Sequence, residues 1–329
     1  MKKQDYMRLG FPELLDVSGR VTIADLFSSS KRRTGIYLLY FPDGDYYVGQ
    51  AVDVVRRFSQ HIKEKGPVSG FSFFPVPKET LDQQERYCIT RLEHKCNLKN
   101  ISLVTMPEVE TDFDAVFSRQ DQLDWLNYDS VTPWYCSRNQ DKALYEQLRK
   151  KYAAKFSALL SDKYFKKCFL PVLQKYFKYC IPEPCLTEMS FWNCSCLPSY
   201  SYNPDIKILS RINLRSAEVF TVGYYRDPVE MFYSFHACKS PFKELPKAEL
   251  DQIKKQFPSL VIDNHNYPSA GEDQWNLDFG EYDEVMNALD HPVFLKAIKS
   301  FNLGQMRKGA TLYHGTHCVD LADLLLSAI

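Results

Sequence analysis

Residues 35–50 constrain the fold more than any other part of the chain. Gly35-Ile36-Tyr37-Leu38-Leu39-Tyr40-Phe41 is a β-rich apolar run, Pro42-Asp43-Gly44-Asp45 has turn composition, and Tyr46-Tyr47-Val48-Gly49-Gln50 is a second β-rich run. Two such runs with so short a break predict an antiparallel hairpin. Asp53 then stands where a helix needs an N-cap. Val54, Phe58 and Ile62 recur four apart and predict a helix to about residue 65 with one buried face. Phe71–Val76 predicts a third strand, and the spacing of Leu81, Tyr87/Cys88 and Arg91/Leu92 a helix from about 80 to 95. The order β-β-α-β-α describes a small unit built on a hairpin.

The same stretch carries a set of residues that chemistry can use. Gly35-Ile36-Tyr37 and Tyr47-Val48-Gly49 fall on the paired strands, Arg57 and His61 follow one helical turn apart, Glu85 lies in the second helix, and Asn100 comes fifteen residues later. In this order the residues resemble the GIY-YIG nuclease family over about residues 30–105. The resemblance implies a three-stranded antiparallel sheet flanked by helices and a metal-dependent endonuclease that hydrolyses DNA phosphodiesters. It implies Tyr37 as general base and Tyr47 as a group positioning water or phosphate. Arg57 would hold the phosphate and His61 would orient Tyr37 or relay its proton. Asn100 would orient the site, and Glu85 would bind a single Mg²⁺ (or Mn²⁺). A free phenol has a pKa near ~10, so Tyr37 needs help from its neighbours to act at neutral pH. One carboxylate with phosphate and water oxygens suits a hard divalent cation.

Taken singly, these residues have plainer readings. Tyr37 and Tyr47 fit a cross-strand aromatic pair. Arg57 and Glu85 fit a surface ion pair, His61 an ordinary helix-face histidine, and Asn100 a turn residue, with Asn97 close enough to compete for its place.

Charge narrows how nucleic acid would be held. With 41 Lys+Arg against 41 Asp+Glu in 329 residues, no whole-molecule basic field exists, so any contact must be local. Residues 141–180 carry ten Lys/Arg against three acids, whereas 261–290 carry eight acids and no Lys or Arg. Lys150 and Lys151 in the basic segment, Lys31, Arg32 and Arg33 before the first strand, and Arg56 on the first helix are the candidate phosphate contacts. The aromatics interleaved with the basic segment read as core. The acidic segment reads as a solvated face, or as a competitor of DNA for the basic helices.

The remaining two thirds match no family pattern as well. The division expected is 1–105 as the nuclease-like domain, 106–204 as a basic, mainly helical region, and 205–329 as an α+β region selecting substrate or partner. The fold class expected is therefore α+β, with a larger, mostly helical region after the small sheet. Passages 182–204 and 263–280 read as loops. Cys180, Cys185, Cys194 and Cys196 lack paired C-x2-C spacing, so structural Zn²⁺ is not expected. Leu312-Tyr313-His314-Gly315-Thr316 looks like the nicotinamide-binding strand of ADP-ribosyltransferases, but too little chain follows, and a plain terminal strand and helix is expected. No apolar run is long enough to span a membrane, and the start of the chain lacks an apolar signal core. A cytoplasmic enzyme acting on DNA follows, in a setting such as defence against foreign DNA, with a homodimer or protein partner through the C-terminal region left open. The alternative is a nucleic-acid-binding or complex-assembly protein whose nuclease domain is inert.

Overall fold

The computed structural model describes residues 1–27, 32–100, 104–107, 110–127, 141–198, 203–263 and 267–327. The chain forms two compact units, Met1–Glu110 and Thr111–Ile329. Both mix helices with antiparallel sheet.

The first unit contains α1 (Lys3–Met7), β1 (Leu15–Asp16), β2 (Gly35–Tyr40), β3 (Tyr46–Ala51), α2 (Val54–Lys65), β4 (Gly70–Pro75) and α3 (Leu81–Leu92). Its sheet has four strands in the order β1-β4-β2-β3 rather than the three expected. The extra strand, β1, is two residues long and pairs only with Phe71 and Gly70, too short to leave a periodic signature. Strand alternation sends Tyr37, Leu39 and Phe71 to the face packed by Val54 and Phe58 of α2. Ile36, Leu38, Tyr46 and Val48 face the other way, onto Leu81, Cys88, Ile89 and Leu92 of α3. Asp53 caps α2, its Oδ1 accepting from the Val55 and Arg56 amides at 3.0 and 3.2 Å. The buried residues of α2 are Val54, Phe58 and His61. His61 therefore takes a core position beside the half-buried Ile62.

β3 is the edge of this sheet, and its outward backbone groups from Tyr46 N to Gln50 N are occupied. Tyr46 N donates to Asn97 O at 2.9 Å and Tyr46 O accepts from Lys99 N at 2.8 Å. Val48 N donates to Asn100 Oδ1 at 2.9 Å, and Val48 O accepts from Asn100 Nδ2 at 2.6 Å. Gln50 N donates to Glu85 Oε1 at 3.1 Å. Along that stretch an edge that would otherwise invite strand addition is covered by the backbone of Asn97 and Lys99 and by the Asn100 and Glu85 side chains.

The second unit begins with α4 (Arg119–Asn127), α5 (Lys142–Leu160), α6 (Leu170–Cys180) and α7 (Pro184–Thr187). A sheet follows from β5 (Trp192–Cys196), β6 (Ile206–Leu214), β7 (Ala217–Arg226) and β8 (Val229–Ala237). After α8 (Ser240–Lys243) and α9 (Lys247–Gln256) it is completed by β9 (Val261–Asp263) and β10 (Trp275–Phe279). The order is β5-β6-β7-β8-β10-β9, and α10 (Tyr282–Ala288), α11 (Pro292–Arg307) and α12 (Val319–Leu326) end the chain. The region after the small sheet is therefore not mostly helical. Position 204/205 lies between two paired strands, so 106–204 and 205–329 share one sheet. The passages expected as loops contain β5 and β10. β5 is buried along its whole length and carries Asn, Ser and Cys, so it shows no apolar alternation.

Of the aromatics of the basic segment, Phe165, Phe169, Tyr176 and Phe177 are core, Tyr176 stacking on Phe220 at 4.5 Å, whereas Tyr152, Phe156 and Tyr164 are half-buried. The opposite sheet face presents Thr221, Ser234, Asn276 and Asp278 to a cavity of about 620 Å³. The acidic and basic segments meet at Lys175–Asp290, 2.6 Å apart. Asp273, however, caps α8 through Ser240 N and Oγ. The expected terminal strand at 312–316 is instead an exposed 3₁₀ turn at His314–Thr316, with Gly315 O accepting from Lys151 and Tyr152.

Candidate active site

Gly49 makes the site possible. Tyr37 lies opposite Gly49 in the β2–β3 register, and a Cβ at 49 would collide with the Tyr37 hydroxyl and ring and with the Tyr47 ring. Without a side chain there, the Tyr37 side chain passes over Gly49 and its hydroxyl reaches His61 of α2. Tyr47 faces Leu39 across the ladder, so the two tyrosines are diagonal neighbours, with ring centroids 6.2 Å apart.

The Tyr37 hydroxyl hydrogen-bonds His61 Nε2 at 2.7 Å, and the His61 ring lies 4.7 Å from the Tyr47 ring. His61 Nδ1 is buried and has no hydrogen-bond partner among the described residues. Burial, reinforced by Arg57 and Lys65, holds the imidazole down at about 4, so the ring is neutral at pH 7. Burial also pushes Tyr37 well above the ordinary phenol range. Tyr47 and Glu85 add to that rise, and the adjacent Arg57 guanidinium opposes it. Tyr47 is raised in the same way, by burial and then by Glu85.

Arg57 lies beside both phenols. It does not pair with Glu85; its NH1 donates to Gln60 Oε1 at 3.3 Å and lies 4.0 Å from Glu64. Glu85 comes from the α3 face and is buried at the β3 edge. Its Oε1 accepts from Gln50 N at 3.1 Å and its Oε2 from Gln50 Nε2 at 3.0 Å. Burial raises its pKa, Gln50 opposes this, and Asp82 adds to the rise. Asn100 is also buried, but both ends of its amide are spent on the Val48 backbone. It sets the β3 edge and does not point into the tyrosine cluster.

Tyr37, Tyr47, Arg57 and His61 thus form one cluster, with the Glu85 charge acting on it from the sheet edge. The candidate phosphate contacts are more scattered. Arg56 and Arg32 are exposed, Arg33 lies 3.7 Å from Asp53, and Lys31 is outside the described residues. Lys150 and Lys151 belong to the second unit; Lys150 is exposed, while Lys151 donates to Gly315 O at 2.8 Å. Two residues of the site were missed in the sequence: Gln50, directly after Tyr47-Val48-Gly49, and Asp82, one helical turn before Glu85. Their i, i+3 spacing was the available signal for the acids.

Among the described residues, no three His, Cys, Asp or Glu side chains converge as metal ligands. A carboxylate does suit a hard cation whose other positions are filled by phosphate and water oxygens. Comparison of the chain with protein-family models, curated proteins and solved structures finds no match.

Proposed function

We propose that the first unit is a metal-dependent endonuclease that hydrolyses phosphodiester bonds in DNA. The observation that carries this reading is the 2.7 Å bond between the Tyr37 hydroxyl and a neutral, buried His61, with Arg57 beside both phenols. At rest Tyr37 is a protonated phenol, so it can take a proton from water only as its own moves to His61 Nε2. In the tautomer that allows this, the ring proton sits on Nδ1. Water loses a proton to Tyr37, its oxygen attacks phosphorus in line, and the phosphorus–oxygen bond to the leaving sugar breaks. Arg57 donates to the non-bridging oxygens and stabilises the charge gathering there. Tyr47 orients the water or a phosphate oxygen. A divalent cation at Glu85 would supply Lewis acidity toward the leaving oxygen.

Supercoiled plasmid incubated with Mg²⁺ or Mn²⁺ tests the reading. Tyr37→Phe is expected to slow cleavage by about 10²–10⁴-fold, and Glu85→Gln to slow it through loss of the bound cation. Cleavage indifferent to both substitutions would overturn the site. The second reading, a nucleic-acid-binding or complex-assembly protein with an inert nuclease domain, is favoured by one observation: burial holds the Tyr37 phenol far from ionisation. It expects DNA binding without cutting under either metal.

A further inference from the structure

We infer that Gln50 is the resident place-holder of the cation seat and that Asp82 is the second carboxylate of that seat. This rests on the metal-dependent reading above and extends it to residues that the resemblance does not assign.

The Gln50 side chain lies on the α3 side of β3, where its amide nitrogen meets two carboxylates at once. One contact is with Glu85 Oε2, at 3.0 Å; the other is with Asp82 Oδ1. Asp82 and Glu85 are three apart on α3 and so project from the same face of the helix. Among the described residues, neither is in a salt bridge. Two like charges therefore converge on a single neutral donor group. An NH₂ group spanning two carboxylate oxygens stands where a cation bound by both would stand, although a cation would draw its oxygens closer, to about 2.0–2.1 Å for Mg²⁺. Water could bridge one of them.

The backbone allows the exchange. Gln50 N holds Glu85 Oε1 independently of the side chain, so the amide can swing out while Glu85 keeps its orientation. Two donor bonds to charged acceptors are lost on entry of the ion, which lowers the apparent affinity of the seat. Gln50 is accordingly a positioning residue that sets the cation affinity, and Asp82 is a ligand.

Titration of the full-length chain with Mn²⁺ by calorimetry, without turnover, tests this. Gln50→Met keeps the length of the stem and removes the donors, and is expected to tighten Mn²⁺ binding about tenfold. Asp82→Asn is expected to weaken it by a similar factor. A purely structural Gln50 predicts the opposite sign or no change for Gln50→Met, and that result overturns the inference. If Gln50→Met does not fold, Asp82→Asn decides alone, because Asp82 is exposed; unchanged affinity there also overturns it. Should Glu85→Gln abolish binding while the other two variants match wild type, the inference fails and the metal-dependent reading survives. Should wild type bind no Mn²⁺, alone or with a short phosphorothioate DNA, both fail.

Discussion

His61 in the first unit and His317 in the second are both shut off from solvent, yet they are used differently. His317 engages both ring nitrogens: Nδ1 accepts from Cys194 N at 3.2 Å, and Nε2 meets Glu188 Oε1 at 3.0 Å. That pattern puts the proton on Nε2 and ties the turn before α12 to β5. His61 engages one nitrogen, on the hydroxyl of a buried tyrosine, and leaves the other without a partner among the described residues. A buried histidine with both nitrogens bonded is structure. One with a nitrogen to spare is costly to keep and has room to move a proton.

The sharpest way to break this contrast is to remove each ring. His317→Gln is expected to destabilise the second unit by about 2–4 kcal/mol, because a buried bond to the Glu188 carboxylate and one from Cys194 N are both disrupted. Cleavage by protein that remains folded should be unchanged. His61→Gln is expected to cost the first unit only about 1 kcal/mol, and to slow cleavage about 10²-fold. Urea denaturation followed within each unit, with single-turnover cleavage, measures both. A His61 variant that loses stability but keeps its rate would erase the difference.

A second pair of substitutions compares close backbone approaches. A Cβ at Gly49 would strike Tyr37, and one at Gly223 would strike Lys207 O and the Phe232 ring. Alanine at either site is expected to cost about 1–3 kcal/mol. Only Gly49→Ala should also lower cleavage, by displacing the Tyr37 hydroxyl. Equal rates for the two variants would detach that glycine from the site.

The smallest effect is in the pH profile of stability. His61 titrates at about 4 when folded, below its usual value near 6.5, so the unfolded chain binds more protons between those values. This contribution is present above 6.5 and is lost as pH falls toward 4. Glu85 has the opposite sign: its raised pKa keeps a proton on the folded state, so its contribution is lost as pH rises above the usual glutamate range. His61→Phe should therefore flatten the rise of first-unit stability with pH, and Glu85→Gln should steepen it. Thermal melts from pH 4 to 7 would show two slopes moving apart; slopes moving together would contradict the burial of one of them.

Local rules made much of the first unit legible. β2 and β3 follow from two β-rich runs around a turn, and α2 follows from Asp53 and the spacing of Val54 and Phe58. In each case the hydrogen bonds and the buried face come from neighbours in the chain. The two-residue β1 was too short to read. In the second unit, β5 and β10 are strands only because distant segments pair with them. Residues such as Asn193, Ser195 and Asn276 made those passages look like loops.

The chain order alone therefore determined which chemical groups are available and roughly which strand or helix carries each, since both depend on spacing along the backbone. Only the tertiary structure decided that His61 turns inward to Tyr37, that Asn100 is used up on Val48, and that Gln50 lies between Asp82 and Glu85. Those contacts join residues 24 to 52 positions apart, and whether such side chains meet depends on how the sheet and helices pack, which no local periodicity encodes.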